Sequence, residues 1–250
     1  MGTLGMKRFW NSGCLIGLLG VWLAFSTGAV VIIALAASRP NFRAEILMGA
    51  GLVLLWVGLG GFLTRRLRDP VRDFLRAIRI DWRIKFVLLA TILALVEETI
   101  TTGMTNLAPF FGVPVGAAYI TASANFFDVV CFHSVVVFIP MFAGWAVLLG
   151  YFEFSPNAVF LLFGLTGTMI ETLFSGPQGL AEFGLWIFVY GLMVYLPAYT
   201  LPAERGAKRP PWWMHGAAIF LPIVFAIPVA AVVGMVHPIQ IHFPPIVPNS

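Results

Sequence analysis

The chain has 250 residues, of which 60% are hydrophobic and 10% charged, and its mean hydropathy is +0.93. Soluble domains carry about a quarter charged residues, so a water-soluble fold cannot hide this apolar excess; a polytopic membrane protein is expected. The net charge of +4 is directed at anionic lipid and not at nucleic acid, because the basic residues follow a membrane topology.

In chain order, seven apolar windows are long enough for a hydrocarbon core of ~30 Å. They cover about 13–37, 44–63, 86–106, 126–149, 157–175, 182–201 and 213–236. The first follows "MKRFW" and ends near "ALAAS", the parts of a signal peptide. Its apolar run is too long for one, so a retained anchor is expected. Cys14 and Cys131 lie in apolar runs outside any CxxC or CxxH pattern, which argues against a disulfide framework or a thiolate metal site.

The basic residues orient these windows. With the N-terminus inside, the inner segments carry Lys7, Arg8, Arg65, Arg66, Arg68, Arg72, Arg76, Arg79, Arg83, Lys85, Arg205, Lys208 and Arg209. The outer segments keep only Arg39 and Arg43 of the 15 Lys and Arg. This asymmetry predicts an all-α, polytopic helix bundle of about seven transmembrane helices, N-terminus inside and C-terminus outside. Residues 1–250 form one membrane domain, and its place is a prokaryotic plasma membrane. Trp10, Tyr119, Tyr199, Trp212 and Trp213 fall near span ends, where an aromatic belt is expected.

Two connecting segments have internal order. In "DPVRDFLRAIR", Asp69 is a candidate N-cap and Pro70 a first helical residue. Val71, Phe74, Leu75 and Ile78 then recur on one face, away from Arg72, Arg76 and Arg79. This pattern predicts an amphipathic surface helix over about 69–79, resting on anionic inner-leaflet lipids. "NLAPFFGVPVGAAY" is apolar but broken by Pro109, Gly112, Pro114 and Gly116. Its irregular backbone cannot face lipid; about 107–118 it either re-enters the membrane against protein or lies on the outer surface.

The remaining polar residues carry the functional signal. Glu97 and Glu98 sit in the third window, Asp128 near the start of the fourth and Glu171 near the end of the fifth. Intramembrane acids default to function. Their depths place them, with three of the four histidines, in the outer half. Glu97 and Thr101 share a face of one helix; Glu98, Thr102 and Thr105 share the next. Thr121, Asn125 and Asp128 form a third stripe. Carboxylates with Thr and Asn oxygens suit hard cations or protons, so Glu97, Glu98, Asp128, Glu171, Asn125 and Thr101 are the candidate ion- or proton-binding residues. His133, His237 and His242 are candidate ligands for a divalent metal ion, since imidazole widens the choice to Zn, Fe or Mn. On one straight helix, His133 lies about 140° around from Asp128, which keeps the two from sharing an ion. A transporter-like or cation-binding protein is the leading expectation, a metal-dependent intramembrane enzyme the alternative, and a structural or assembly subunit the third. The sequence names no protein partner and contains no nucleotide-binding, HExxH, GxSxG or EF-hand motif.

Glu97-Glu98 followed by His133 is similar to part of the CAAX-protease and bacteriocin-processing family of intramembrane proteases. Those carry EExxxR, FxxxH and HxxxN or HxxxD on successive spans. The resemblance implies that Glu97 activates water and that His133 supplies the second motif. Thr102 stands where that family has Arg, Val129 where it has Phe, and His215 in "HGAAI" lacks the Asn or Asp four residues on.

Overall fold

The computed structural model describes residues 12–239 and 241–243; Lys7, Arg8 and Trp10 lie outside the described residues. The fold is all-helical. Its helices are α1 (Ser12–Ala36), α2 (Pro40–Leu52), α3 (Gly61–Ala77), α4 (Trp82–Asn106), α5 (Phe126–Phe132), α6 (Val135–Tyr151), α7 (Pro156–Ser175), α8 (Gln178–Ala181), α9 (Phe183–Tyr199) and α10 (Trp212–Val236). Among the described residues, β-structure is limited to isolated bridges. Helix α1, the continuous run Pro40–Ala77, α7 and α10 are each long and apolar enough to cross a membrane. Helices α5 and α6, bent by 43° at a short break, make a fifth candidate if taken as one span. Helices α4 and α9 run among them, and every apolar window of the sequence is helical.

The helix starts follow local chemistry. Asp81 opens α4 by accepting from the Arg83 amide at 2.8 Å, and Ser155 opens α7 by accepting from Ala158 N at 3.2 Å. Pro156 follows at the first turn of α7, where its missing N–H does no harm.

The structure differs from expectation at Asp69, where no helix begins. The chain is helical from Pro40 to Ala77 through a π-helical stretch, Val53–Gly60, a run of 38 residues or ~57 Å. Asp69 is bound sideways instead: Tyr199 Oη donates to its Oδ1 at 2.7 Å, and Arg72 Nη1 stands 2.7 Å from the same atom. Arg68 donates to Tyr195 Oη at 3.4 Å. With its carboxylate taken by α9, Asp69 caps nothing and the helix continues through Pro70.

Close approach of α7 and α9 builds the centre. A Cβ on Gly164 would stand 2.6 Å from the Ile187 carbonyl oxygen, and one on Gly167 would collide with the Tyr190 ring. Small residues are what let membrane helices touch in this way. Buried side chains of Phe86, Phe142, Trp145, Phe163 and Met193 fill the space among α4, α6, α7 and α9. Between helices, Thr166 Oγ1 donates to the Ile219 carbonyl at 2.8 Å and Trp56 Nε1 to that of Val189 at 3.1 Å.

The two ends of the bundle are chemically unlike. At one, Lys85 Nζ donates to the carbonyls of Leu75 (2.8 Å) and Ile78 (3.1 Å), and Arg205 Nε to that of Leu149 (2.9 Å). Burial pulls the Arg205 guanidinium below its usual range. The segment 107–118 lies at the other end. It begins with a 3₁₀ turn, Ala108–Phe111, and buries Ala108, Val113 and Ala118 against Ala44 and Met48 of α2 and Met104 of α4. Much of the rest of the segment is open, with Leu107, Pro109, Phe110, Gly112 and Pro114 exposed.

Gly164→Ala should destabilise the bundle by about 1–3 kcal/mol, the usual range for overpacking. Gly49→Ala, inside α2 with nothing within 4 Å of the added carbon, should not destabilise and should gain up to about 1 kcal/mol from helix propensity. Thermal unfolding of the two variants in detergent compares them directly.

Candidate metal centre

Helix α5 is short because its two ends are committed. Asn125 Oδ1 accepts from the amides of Phe127 (3.0 Å) and Asp128 (3.5 Å), an N-cap that holds Asp128 in the first turn. Ser123 Oγ in turn accepts from Asn125 N at 3.1 Å. At the far end His133 leaves the helix, with φ −126° and ψ −65°, while its amide still donates to Val129 O at 3.1 Å. That break removes the angular obstacle of a straight helix. His133 Nε2 comes round to 3.4 Å from Asp128 Oδ2.

Two more imidazoles arrive from the C-terminal region. His237 caps α10, and its Nε2 stands 3.4 Å from Asp128 Oδ1. The Phe132 ring stacks on it at 4.8 Å. His242 is held from outside the helices: its amide donates to Ala122 O at 3.1 Å, it forms a parallel bridge with Ser123, and its Nε2 lies 3.2 Å from Asp128 Oδ2. Phe243 stacks on Tyr119 at 4.8 Å. Its Cβ would be 2.7 Å from a Cβ on Gly116, whose φ of +90° also favours glycine.

One ligand atom from each of Asp128, His133, His237 and His242 lies within 4.8 Å of all the others. Despite this crowding, Asp128 Oδ2, His133 Nε2 and His237 Nε2 are buried without a hydrogen-bond partner. Buried polar atoms left unpaired are costly, and a cation among them satisfies all at once. The spacing agrees with this. Donors ~2.1 Å from a tetrahedral zinc ion are ~3.4 Å apart, close to the 3.2–3.4 Å found around Asp128. Imidazole with one carboxylate suits Zn, Fe, Mn or Ni. The His242 side chain is 41% exposed against 11% for His133, so the approach to the site runs past His242.

The other candidate acids form a separate group. Glu97 and Glu98 are buried on α4. Glu171 is near enough to Glu97 and Glu98 for the like charges to act on one another. Tyr190 Oη donates to Glu171 Oε1 at 2.6 Å. Thr101 Oγ1 lies 2.7 Å from the Glu97 carbonyl and 3.3 Å from its carboxylate. The single acidic pocket expected from sequence is therefore two clusters: Asp128 joins the histidines, while Glu97, Glu98 and Glu171 keep together. Asn125 holds Asp128 as a cap, and Glu182 stands near enough to Glu45 for the two like charges to repel each other.

Sequence reasoning passed over Ser123, Ser134 and Tyr190. Ser134 carries no local signal beyond its place beside His133. Tyr190 did carry one, since a phenol inside an apolar run needs a hydrogen-bond partner. The histidine that resembled a protease motif is turned to Asp128, His237 and His242. Comparison with protein-family models, with curated proteins and with solved structures finds no match.

Protein purified with zinc should hold metal at this site, and either Asp128→Asn or His237→Ala should abolish it, as read by elemental analysis. Asn125→Ala should weaken binding about 10–100-fold, the usual loss when support of a ligand is removed. Because imidazole binds metal only when neutral, affinity should fall as the pH is lowered. Isothermal titration across pH 5–8 would follow that fall.

Proposed function

We propose that this is a multi-pass membrane protein that takes up a divalent transition metal at the outer face of a prokaryotic plasma membrane, in the manner of a transporter. The observation that carries this reading is the convergence of Asp128, His133, His237 and His242 on one point, with buried lone pairs lacking other partners. The topology proposed has seven transmembrane helices, the N-terminus inside and the C-terminus outside. It is supported by seven helical apolar windows and by the grouping of Lys85, Arg68, Arg72 and Arg205 at the end opposite the metal cluster. Arginines on the last turns of α3 then meet anionic headgroups of the inner leaflet. The broken helix α5–α6 supports transport, because interrupted membrane helices place ligating groups at ion sites.

One observation favours an enzyme as the second reading. His242 is the most exposed of the ligands; a site that released it would keep Asp128 and two histidines and open a position for water, as catalytic zinc sites do.

Proteoliposomes loaded with a fluorescent zinc or manganese reporter separate the two. On the transport reading, reconstituted protein admits the ion and Asp128→Asn reduces the initial rate about 10-fold or more, in line with loss of a metal ligand. Tight metal binding without any ion flux would favour the enzyme.

A further inference from the structure

The chain beyond α10 supplies a metal ligand that no helix holds. His237 is still fixed by α10, since its amide donates to Val233 O at 2.7 Å. His242 lies five residues further on, and Ile239 and Ile241 before it are exposed. Bringing one imidazole from such a segment to a fixed point costs conformational entropy. The segment therefore needs an anchor of its own.

The ring itself does not provide it. A metal-binding imidazole is commonly oriented by a hydrogen bond from its second nitrogen. His242 turns Nε2 to Asp128 Oδ2 at 3.2 Å, while its Nδ1 is buried without a hydrogen-bond partner among the described residues. The imidazole is placed instead through its own backbone and through the residue that follows it.

The contacts that place it lie on residues 116–123. The His242 amide donates to Ala122 O at 3.1 Å, and the residue bridges Ser123. The Phe243 ring stacks on Tyr119, with centroids 4.8 Å apart and planes 29° apart. Its Cβ lies over Gly116, where a side chain would leave only 2.7 Å between the two Cβ atoms. This base is in turn pinned to α4. Ile120 N donates to Thr105 Oγ1 at 3.2 Å, and Asn106 Nδ2 donates to Ala124 O at 2.9 Å. Phe243 is thus an aromatic plug, one residue from a ligand, seated on a base that other elements hold.

We infer that Phe243, seated on Tyr119 and Gly116, is the positioning residue for the His242 arm of the metal centre. It touches no ion; it presets the ligand that comes from outside the helices. The inference rests on the metal reading of this site. A contact of this kind acts by preorganisation: the segment is ordered before the ion arrives, so its ordering does not weaken binding. Without the plug, Asp128, His133 and His237 remain, and His242 joins them only by ordering the segment at the moment of binding.

The test is the zinc affinity of the purified full chain in detergent, by competition with a chromophoric chelator. Phe243→Ala should bind about 10–100-fold more weakly than wild type, the range for losing a group that supports a ligand. Tyr119→Ala should weaken binding in the same way, and Tyr119→Phe, which keeps the ring, should bind as wild type does. Removing the ligand gives the reading specific to positioning. His242→Ala should itself weaken binding, and adding Phe243→Ala to it should change affinity by less than about 2-fold, because no imidazole is left to place. If Phe243→Ala binds zinc as tightly as wild type, or weakens it equally with and without His242, the positioning role is refuted while the metal centre stands. If wild type and Phe243→Ala alike bind no zinc, the metal centre falls and the inference falls with it.

Discussion

The carboxylate of Asp128 draws three imidazoles and four stretches of chain to one point. Its own helix is set by Asn125, His133 reaches it from the break after α5, His237 from the end of α10, and His242 from the segment beyond. A buried carboxylate beside unpaired imidazole nitrogens would be several kcal/mol unfavourable if nothing answered its charge. The divalent ion proposed here would reverse that balance and cross-link α5 to α10. The bridge from Ser123 to His242 and the stacking of Tyr119 on Phe243 then hold residues 242–243 against the 119–123 segment at this end of the bundle.

Deeper in the bundle, the same argument runs through glycine. Gly164 and Gly167 let α9 lie against α7, and that contact brings the Tyr190 hydroxyl to Glu171. With Glu97 and Glu98 on α4 near enough to Glu171 for their charges to act on one another, packing of apolar surfaces decides where the acids lie. A water-filled site would tolerate several placements of a carboxylate. A dry one tolerates few, because each misplaced oxygen loses its partner.

Much of this was legible in the sequence. Every apolar window is a helix, since hydropathy over 20 residues reports directly on what a bilayer accepts. The residue types of this cluster stood out too, His133, His237 and His242 as candidate metal ligands and Asp128 as a candidate ion-binding acid. Their partnership was not. Helical periodicity set Asp128 and His133 far apart, and only the non-helical backbone at His133 brings them together. The start of a helix at Asp69 was misread for a related reason: Asp-Pro is a good local cap signal, but the Tyr199 hydroxyl and Arg72 take the carboxylate first.

By itself the sequence determined the class of this protein, the positions of its helices and the asymmetry of its basic residues, because these depend on composition over short windows. Tertiary structure alone decided which polar groups share a site. Asp128 and His242 are far apart in the chain, and no local rule relates them; a bridge at Ser123 and a cap at Asn125 bring them within 3.2 Å. The division of the acids into a histidine-lined centre and an all-carboxylate group likewise follows from how α4, α7 and α9 pack, a property of surfaces and not of spacing along the chain.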